Sequence, residues 1–202
     1  MDRVKVLAKA IAQTEALQLG FFTNNMGQPA PIYFDLNKLW QDPTMLATAT
    51  KELCTVIKEE FGEDYNRIGG SDHSGLPIAT LASQFLDKPL VVLRRTPAED
   101  KYGPILGTMF PGDKILVVDD VIATGKKALE MAKVVKEEGG VFHGYCVFLD
   151  KQEGGSDLLG KKNVRFACVA TLMEVADELH RFGWMEDDTF SSISEYVASR
   201  SH

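Results

Sequence analysis

The sequence has few of the features that mark secreted or membrane proteins. Its three cysteines, scattered over 202 residues, form no C-x-x-C pair, which argues against a disulfide framework and a structural zinc site. No uninterrupted apolar run approaches the ~20 residues of a membrane span. The chain starts with charged residues in a helical pattern, without the apolar segment of a signal peptide. We therefore expect a cytoplasmic protein with no membrane partner.

Positive charge is also scarce. The 22 Lys and Arg residues are outnumbered by 29 Asp and Glu, which gives a net charge of −7, and no basic cluster exceeds a pair. Such a chain lacks the electrostatic footprint of a general nucleic-acid binder. We expect no nucleic-acid partner, and any anionic ligand must be bound locally.

The composition that remains is that of an ordinary soluble domain, with 45% hydrophobic and 25% charged residues. A chain of this length buries about 70% of the surface that it exposes when unfolded, so its core needs no metal or disulfide. Neither an internal repeat nor a linker-like segment divides the sequence. We expect residues 1–202 to form one domain.

Helical and extended patterns follow one another along the chain. Apolar spacing predicts amphipathic helices over residues 2–17 and 43–61 and an extended segment over 31–36. Further strands and helices are predicted, in chain order, at residues 67–70, 76–85, 89–93, 115–118, 126–138, 141–149, 164–169 and 172–182. This order is typical of parallel βαβ units and predicts an α/β fold with a mainly parallel central sheet flanked by helices.

Residues 115–127 are the most informative stretch. An apolar strand leads through two acids to a short turn with Thr124 and Gly125, and an amphipathic helix follows. Ligands of doubly wound sheets bind just outside the carboxyl ends of the strands. Backbone N–H groups at this turn suit a phosphate, to which Thr124 adds a hydroxyl while Gly125 allows close approach. Lys126 and Lys127 oppose the helix dipole and so indicate a bound anion.

Asp119 and Asp120 are the two acids of this stretch. Consecutive strand residues point to opposite faces, so at most one carboxylate faces the ligand squarely while the other supports it. Carboxylates accept hydrogen bonds from neutral donors such as sugar hydroxyls. A Walker P-loop is excluded because it would need Gly at Asp120 and Ser or Thr at Lys127. The adjacent Asp72, His73 and Ser74 cannot form the geometry of a hydrolase triad.

Residues 117–125, VVDDVIATG, resemble the phosphoribosyl pyrophosphate (PRPP) signature of type I phosphoribosyltransferases. Further segments look like orotate phosphoribosyltransferase blocks in the same order, at residues 31–36, 75–80, 94–95, 102–103 and 149–155. The resemblance covers nearly the whole chain, from about residue 21 to 182. It implies the type I phosphoribosyltransferase fold, with a small hood formed by N-terminal and later segments.

The resemblance also implies a reaction, in which a pyrimidine base, orotate first, displaces pyrophosphate from PRPP with Mg²⁺ as cofactor. Protein side chains are not expected to ligate the metal directly. The residues expected to contact PRPP are His73, Ser74, Arg95, Asp119, Asp120, Ala123, Thr124, Gly125, Lys126 and Lys127. The residues expected to contact the base are Asn25, Tyr33, Phe34 and Lys151, with core packing an equal alternative for Phe34. The residues expected to act in catalysis are Lys101, Asp119 and Asp120.

Family enzymes close a mobile loop over the site across a dimer interface, so the resemblance implies a homodimer with residues 96–110 as the lid. Loops of this length in compact domains are often functional. Arg95 would stand at the base of this lid and Lys101 would be its remaining cation. Sequestering PRPP from water is the physical reason for such a loop.

Several positions depart from the family pattern. Lys151 replaces an arginine, which loses a planar fork for a carboxylate such as that of orotate. The other departures are Asn25, Asn37, Thr96, Ala123 and the pair Lys126 and Lys127. Three interpretations stay open: an orotate transferase, a PRPP- or nucleotide-binding paralogue that is weakly active or regulatory, and a transferase for another base.

The phosphate turn gives a direct prediction. Thr124→Val is expected to weaken PRPP binding by roughly 1 to 3 kcal/mol, because the variant leaves a phosphate oxygen without its hydroxyl donor. Isothermal titration calorimetry with PRPP and Mg²⁺ measures the change. An unaltered titration would remove Thr124 from the phosphate site.

Overall fold

The structure is a computed structural model that describes residues 2–23, 27, 29–71, 73–94 and 103–200. The helices are α1 Arg3–Gln13, a 3₁₀ helix Leu36–Gln41, α2 Pro43–Phe61, α3 Gly75–Leu86, α4 Lys126–Glu137, α5 Gly155–Lys161, α6 Leu172–Arg181 and α7 Asp187–Ala198. The strands are β1 Leu17–Thr23, β2 Pro29–Phe34, β3 Arg67–Ser71, β4 Leu90–Leu93, β5 Ile105–Leu106, β6 Lys114–Ile122, β7 Val141–Asp150 and β8 Phe166–Thr171.

A six-stranded sheet forms the centre of the fold, in the order β5-β4-β3-β6-β7-β8. The pairs between β4 and β8 in this order are parallel, and β5 lies antiparallel to β4 at the edge. The predicted α/β fold with a mainly parallel sheet is therefore confirmed. Because β3, β6 and β7 run in the same direction, their carboxyl ends meet at one edge of the sheet, where such folds bind ligands.

Helices cover both faces of this sheet. One hydrophobic core packs a sheet face against α1, α2, α3 and α6, with Leu53, Ile78 and Phe148 among its buried residues. A smaller core lies between the other face and α4 and α5, with Val117 and Met131 buried in it. Alternate side chains of β6 enter the two cores because successive strand residues point to opposite faces. The acids at the end of β6 continue this alternation.

The hood is a two-stranded antiparallel sheet of β1 and β2, against which α7 packs. Along β2, Ile32 and Phe34 are buried in the main core, whereas Tyr33 between them is 47% exposed. This alternation in burial is the expected pattern of a strand with one covered face.

The first helix is shorter than predicted and ends at Gln13 instead of residue 17. The N–H and the hydroxyl of Thr14 both donate to the carbonyl of Ala10, and Glu15 adopts a left-handed backbone with a φ of 53°. The left-handed backbone of Glu15 ends the helix, and Leu17 then starts β1 by pairing with Phe34. Strand pairing therefore overrides the helical spacing of the last predicted turn.

Strand β6 is longer than predicted. Its pairing with β7 continues through Val121 opposite Leu149 and Ile122 opposite Asp150, so both acids lie within the strand and not after it. Strand β8 spans Phe166–Thr171, two residues later than the prediction at each end. Parallel pairing with β7 places the acid pair on β6, one of the two central strands of the sheet.

Some elements were not predicted, namely β1, β5, α5, α7 and the 3₁₀ helix. Residues 105–106 form β5 inside the segment predicted as a long loop. Residues 96–102 of the proposed lid, which include Lys101, lie outside the described residues, as does Arg95 at its base. Within the described ranges, no helix has the length and apolar character needed to cross a bilayer.

Gly155, the first residue of α5, is expected to be essential for the packing beside the end of β6. A Cβ there would lie 2.5 Å from the carbonyl oxygen of Ala123 and 2.7 Å from Cγ1 of Ile122. We expect Gly155→Ala to lower the free energy of unfolding by about 1–3 kcal/mol, the usual cost of overpacking. Denaturant unfolding measures the loss.

Gly160 in the same helix is the matched control, because its Cβ would meet nothing within 4 Å. Gly160→Ala is expected to stabilise the protein by up to about 1 kcal/mol through helix propensity. Equal unfolding free energies of the two variants would contradict the close contact at Gly155.

Candidate active site

A cleft of about 220 Å³ opens at the carboxyl end of β6. It is formed by the turn before α3, the end of β6, the turn into α4 and one side chain of β7. Its lining residues are Ser74, Asp120, Val121, Ile122, Ala123, Thr124, Gly125, Lys127, Ala128 and Tyr145. The structure thus brings together six of the ten residues predicted to contact PRPP.

The turn into α4 is built around a glycine. Gly125 has a left-handed φ of 77°, and a Cβ there would lie 2.9 Å from the carbonyl oxygen of Gly155. Both the backbone conformation and the close approach of α5 therefore require glycine at this position. The first-turn N–H groups of a helix have no acceptor within the helix, so the start of α4 beside Thr124 offers donors to an anion.

Asp119 is fully buried at the edge of this cleft and accepts hydrogen bonds from three segments. The Tyr145 hydroxyl donates to Oδ2 at 2.6 Å, and the Ser71 hydroxyl donates to Oδ1 at 3.1 Å. Lys127 forms an ion pair, with its Nζ 2.7 Å from Oδ2. The carboxylate therefore connects β3, β7 and the start of α4 to the central strand.

Asp120 faces the cleft and has a perturbed acidity. Burial, followed by the negative charge of neighbouring Asp119, raises the pKa of Asp120 to about 7, and Lys127 opposes the shift. Strongly perturbed carboxyl groups in clefts are common at functional sites. A carboxyl group that titrates near neutral pH can change charge when a ligand arrives.

The turn before α3 lies on the β3 side of the cleft. Ser74 lines the cleft, and His73 is exposed with a left-handed φ of 69°. Position 75, which follows Ser74, must be glycine, because a Cβ at Gly75 would lie 2.5 Å from Oδ1 of Asp119. A non-glycine residue with positive φ is strained and is often found where a turn serves a site.

The turn after β7 carries Lys151, which was predicted to contact the base. Its backbone N–H donates to the carbonyl of Ile122 at 2.9 Å, which places this turn beside the end of β6. The Lys151 Nζ lies 3.0 Å from Oε1 of buried Glu153, and the hydroxyl of Tyr196 in α7 donates to the same oxygen at 2.8 Å. The other oxygen, Oε2, is buried without a hydrogen-bond partner among the described residues.

The remaining predicted residues lie away from the cleft or outside the description. Lys126 is exposed at the start of α4 and does not line the cleft. Tyr33 and Phe34 lie in the hood, where the Tyr33 ring packs 5.5 Å from that of Phe22 and Phe34 is buried in the core. Asn25 lies outside the described residues.

Two apolar grooves are larger than this cleft. One, of about 480 Å³, lies beside α1, β1 and the end of α6, and the other, of about 510 Å³, lies between the 3₁₀ helix, α2 and α3. Neither contains the acids or the phosphate turn, so we take the smaller polar cleft as the candidate active site. Within the part of the chain that the structure describes, no cluster of three His, Cys, Asp or Glu side chains suits a metal ion.

Comparison with known proteins decides the family. No protein-family model matches the chain. The orotate phosphoribosyltransferase of Pyrococcus abyssi is 32% identical over 177 residues, which cover 84% of this chain and 95% of that protein. This chain belongs to the orotate phosphoribosyltransferase family. The orotate phosphoribosyltransferase of Methanocaldococcus jannaschii is 29% identical over 87% of this chain and 98% of its own length.

Solved structures share this fold. The orotate phosphoribosyltransferase of Aeropyrum pernix superposes with a TM-score of 0.78 at 28% identity, over 89% of this chain and 99% of that one. Leishmania donovani UMP synthase gives a TM-score of 0.88 at 24% identity over 96% of this chain, which spans only 42% of that longer protein. A Mycobacterium tuberculosis orotate phosphoribosyltransferase solved with PRPP gives 0.67 at 22% identity, over 87% of this chain and 99% of that one.

In this member of the orotate phosphoribosyltransferase family, sequence reasoning missed Tyr145, Ser71 and Glu153. Tyr145 pairs with Val117 on β6, two residues before Asp119, so its side chain lies diagonally across from that carboxylate on the same face. A tyrosine beside the apolar run of β7 was the available signal, because a buried hydroxyl needs a partner. No local pattern in the sequence identified the partners of Ser71 or Glu153.

The pKa of Asp120 predicts how stability depends on pH. A carboxyl group with a pKa of about 7 in the folded state, and about 3.9 when unfolded, favours folding fully below about pH 4. That contribution is lost as the pH rises through 7. We expect Asp120→Asn, which mimics the protonated acid, to gain stability over the wild type progressively between these two values.

Denaturant unfolding at a series of pH values measures this difference. Asp177→Asn is the control, because Asp177 is exposed on α6 away from the cleft. A constant difference in stability between Asp120→Asn and the wild type across this range would refute the raised pKa.

Proposed function

We propose that the protein transfers the phosphoribosyl group of PRPP to orotate, with Mg²⁺ as cofactor, and forms orotidine 5′-monophosphate and pyrophosphate. A bond forms between C1′ of the ribose and a ring nitrogen of orotate while the bond from C1′ to pyrophosphate breaks, and the proton of that nitrogen is released. One observation carries the proposal: the cleft at the end of β6 combines an acid, a threonine–glycine turn and a helix start. Relatives named orotate phosphoribosyltransferases, and one neighbour solved with PRPP, support it.

The 5′-phosphate is assigned to the turn into α4. Thr124 and the backbone N–H groups that follow Gly125 supply hydrogen-bond donors, and Lys127 adds the cation of the cleft lining. In the transition state the ribose develops positive charge, which nearby negative charge stabilises. Little covalent chemistry is therefore required of the protein. Asp120, which faces the same cleft, supplies both that charge and acceptors for ribose hydroxyls.

The leaving pyrophosphate is assigned to the turn before α3, with His73 and Ser74, and to the cations Arg95 and Lys101 of the lid. PRPP supplies the oxygen ligands that Mg²⁺ prefers, through its pyrophosphate and ribose hydroxyls. That arrangement fits a cleft whose described residues contain no carboxylate cluster. The bound cation would neutralise charge on the leaving group.

The base is assigned to the turn after β7, which is hydrogen-bonded to the end of β6 next to the cleft but does not line it. The Lys151 side chain is only 14% exposed and is held by buried Glu153, so its position is fixed in advance. A fixed cation pairs with the carboxylate that distinguishes orotate from uracil. Asn25, Tyr33 and Phe34 remain proposed base contacts, of which exposed Tyr33 is the better placed for ring packing.

Homodimer formation is part of the proposal. The groove between the 3₁₀ helix, α2 and α3 is apolar, includes the 40% exposed Trp40, and lies on the helix that begins beside Ser74. In the proposed dimer a second copy covers this groove, and the family resemblance implies that its lid segment, residues 96–110, closes over the cleft of its partner. The free cysteines, two of them buried, are compatible with the proposed cytoplasmic location.

Thr80 tests the dimer, because it lines this groove and is exposed. Thr80→Glu places a charge in the proposed interface and is expected to convert a dimer to a monomer in sedimentation velocity. A wild-type protein that sediments as a monomer at micromolar concentration would contradict the homodimer.

The proposed reaction is tested by calorimetric titration of PRPP with Mg²⁺, followed by addition of orotate while absorbance reports its consumption. We expect binding, loss of orotate and release of pyrophosphate. Lys151→Met removes the fixed cation and is expected to lower kcat/KM for orotate by about tenfold or more, the value of one charge-assisted hydrogen bond. Its affinity for PRPP should stay that of the wild type.

The other outcomes separate the alternatives. PRPP binding without turnover of any pyrimidine base would favour a regulatory paralogue. Turnover of uracil in place of orotate would show that uracil is the base substrate. A wild-type protein that does not bind PRPP would overturn the proposed function.

A further inference from the structure

A largely buried ion pair lies in the turn after β7. The Lys151 Nζ is 3.0 Å from Oε1 of Glu153, and these side chains are only 14% and 0% exposed. A buried ammonium group is tolerated when it is paired, and Glu153 supplies the partner. Because the ammonium group has three N–H donors, one carboxylate oxygen does not occupy it fully. Lys151 therefore keeps donors for a ligand.

Glu153 is itself held from the C-terminal helix. The Tyr196 hydroxyl donates to Oε1 of Glu153 at 2.8 Å, and Tyr196 is buried in the main core. The Arg200 guanidinium lies 4.8 Å from the centre of the Tyr196 ring and packs on it. Helix α7 therefore reaches Lys151 through two buried side chains.

The same helix contacts the hood. It packs against β2, the strand that carries the proposed base contacts Tyr33 and Phe34. Phe34 and Tyr196 belong to one hydrophobic core. Helix α7 thus contacts both of the elements that carry described base-contact residues, namely β2 and the turn after β7.

The network around Glu153 leaves one acceptor without a donor. Its Oε2 is buried and has no hydrogen-bond partner among the described residues. A network that served stability alone would satisfy both oxygens, because an unpaired buried acceptor is destabilising. Departures of this kind are expected where a group serves a site. The incomplete pairing favours a role for Glu153 in positioning Lys151.

We propose that Glu153 and Tyr196 are positioning residues for the base, which hold the Lys151 ammonium group where it meets the carboxylate of orotate, and that α7 is thereby part of the base site. This inference rests on the proposed function. Lysine has a long, flexible side chain, and ordering it only when the substrate binds would cost conformational entropy. Glu153 and Tyr196 order it beforehand, which improves affinity by pre-organisation.

The proposal predicts a change in the KM for orotate alone. Glu153→Gln and Tyr196→Phe are each expected to raise this KM by about three- to tenfold, while kcat and the KM for PRPP stay within about twofold of the wild type. A held cation binds the carboxylate equally in the ground state and the transition state, so its displacement changes KM and not kcat. A residue that only stabilised the fold would lower the melting temperature without this selective effect.

The experiment is steady-state kinetics with PRPP and Mg²⁺ while absorbance reports orotate, with the melting temperature of each variant measured alongside. Lys151→Met supplies a second background. Tyr196→Phe should raise the KM for orotate no further in that background, because Tyr196 acts through Lys151. Glu195→Gln, at an exposed position beside Tyr196 in α7, is the matched control for loss of a glutamate.

Equal effects of Tyr196→Phe in the two backgrounds, with a wild type that consumes orotate, would overturn this inference and leave the proposed function standing. An unchanged KM for orotate in folded Glu153→Gln would do the same. A lower KM in that variant would also overturn it, since Glu153 would then compete with the substrate for Lys151. Absence of orotate consumption by the wild type would overturn both. If Glu153→Gln does not fold, Tyr196→Phe in the two backgrounds decides.

Discussion

The arrangement of the candidate active site depends on one buried carboxylate. Asp119 collects hydrogen bonds and an ion pair from Ser71 on β3, Tyr145 on β7 and Lys127 on α4, and so ties three segments to the central strand. A buried charge is tolerated only when it is paired and hydrogen-bonded, so these partners are a condition of the fold and not an addition to it. The phosphate turn and the turn before α3 take their positions around this group.

Much of the fold could be predicted because its central elements are locally consistent. The 43–61 helix begins after Asp42, which caps it, at a proline in its first turn, and its bounds agree with the structure. Elements that depend on partners distant in sequence were harder to predict. Strand β1 exists because it pairs with β2, and β5 is two residues that pair with β4, so neither has a local pattern strong enough to identify it.

The candidate site likewise contains some residues that the local sequence predicts and others that it does not. The turn with Thr124 and Gly125 follows from the local sequence, and the structure places it in the cleft beside Asp120. The partners of charged residues do not follow from local sequence, because Asp119 and Tyr145 are 26 residues apart and Glu153 and Tyr196 are 43 apart. Such pairs can be seen only when the sheet and the hood bring their elements together.

A crystal structure of the wild-type protein with PRPP and Mg²⁺ would test the account most directly. The account predicts the 5′-phosphate on the turn of Thr124 and Gly125 and the ribose beside Asp120. A phosphate bound away from this turn would contradict the assignment of the cleft.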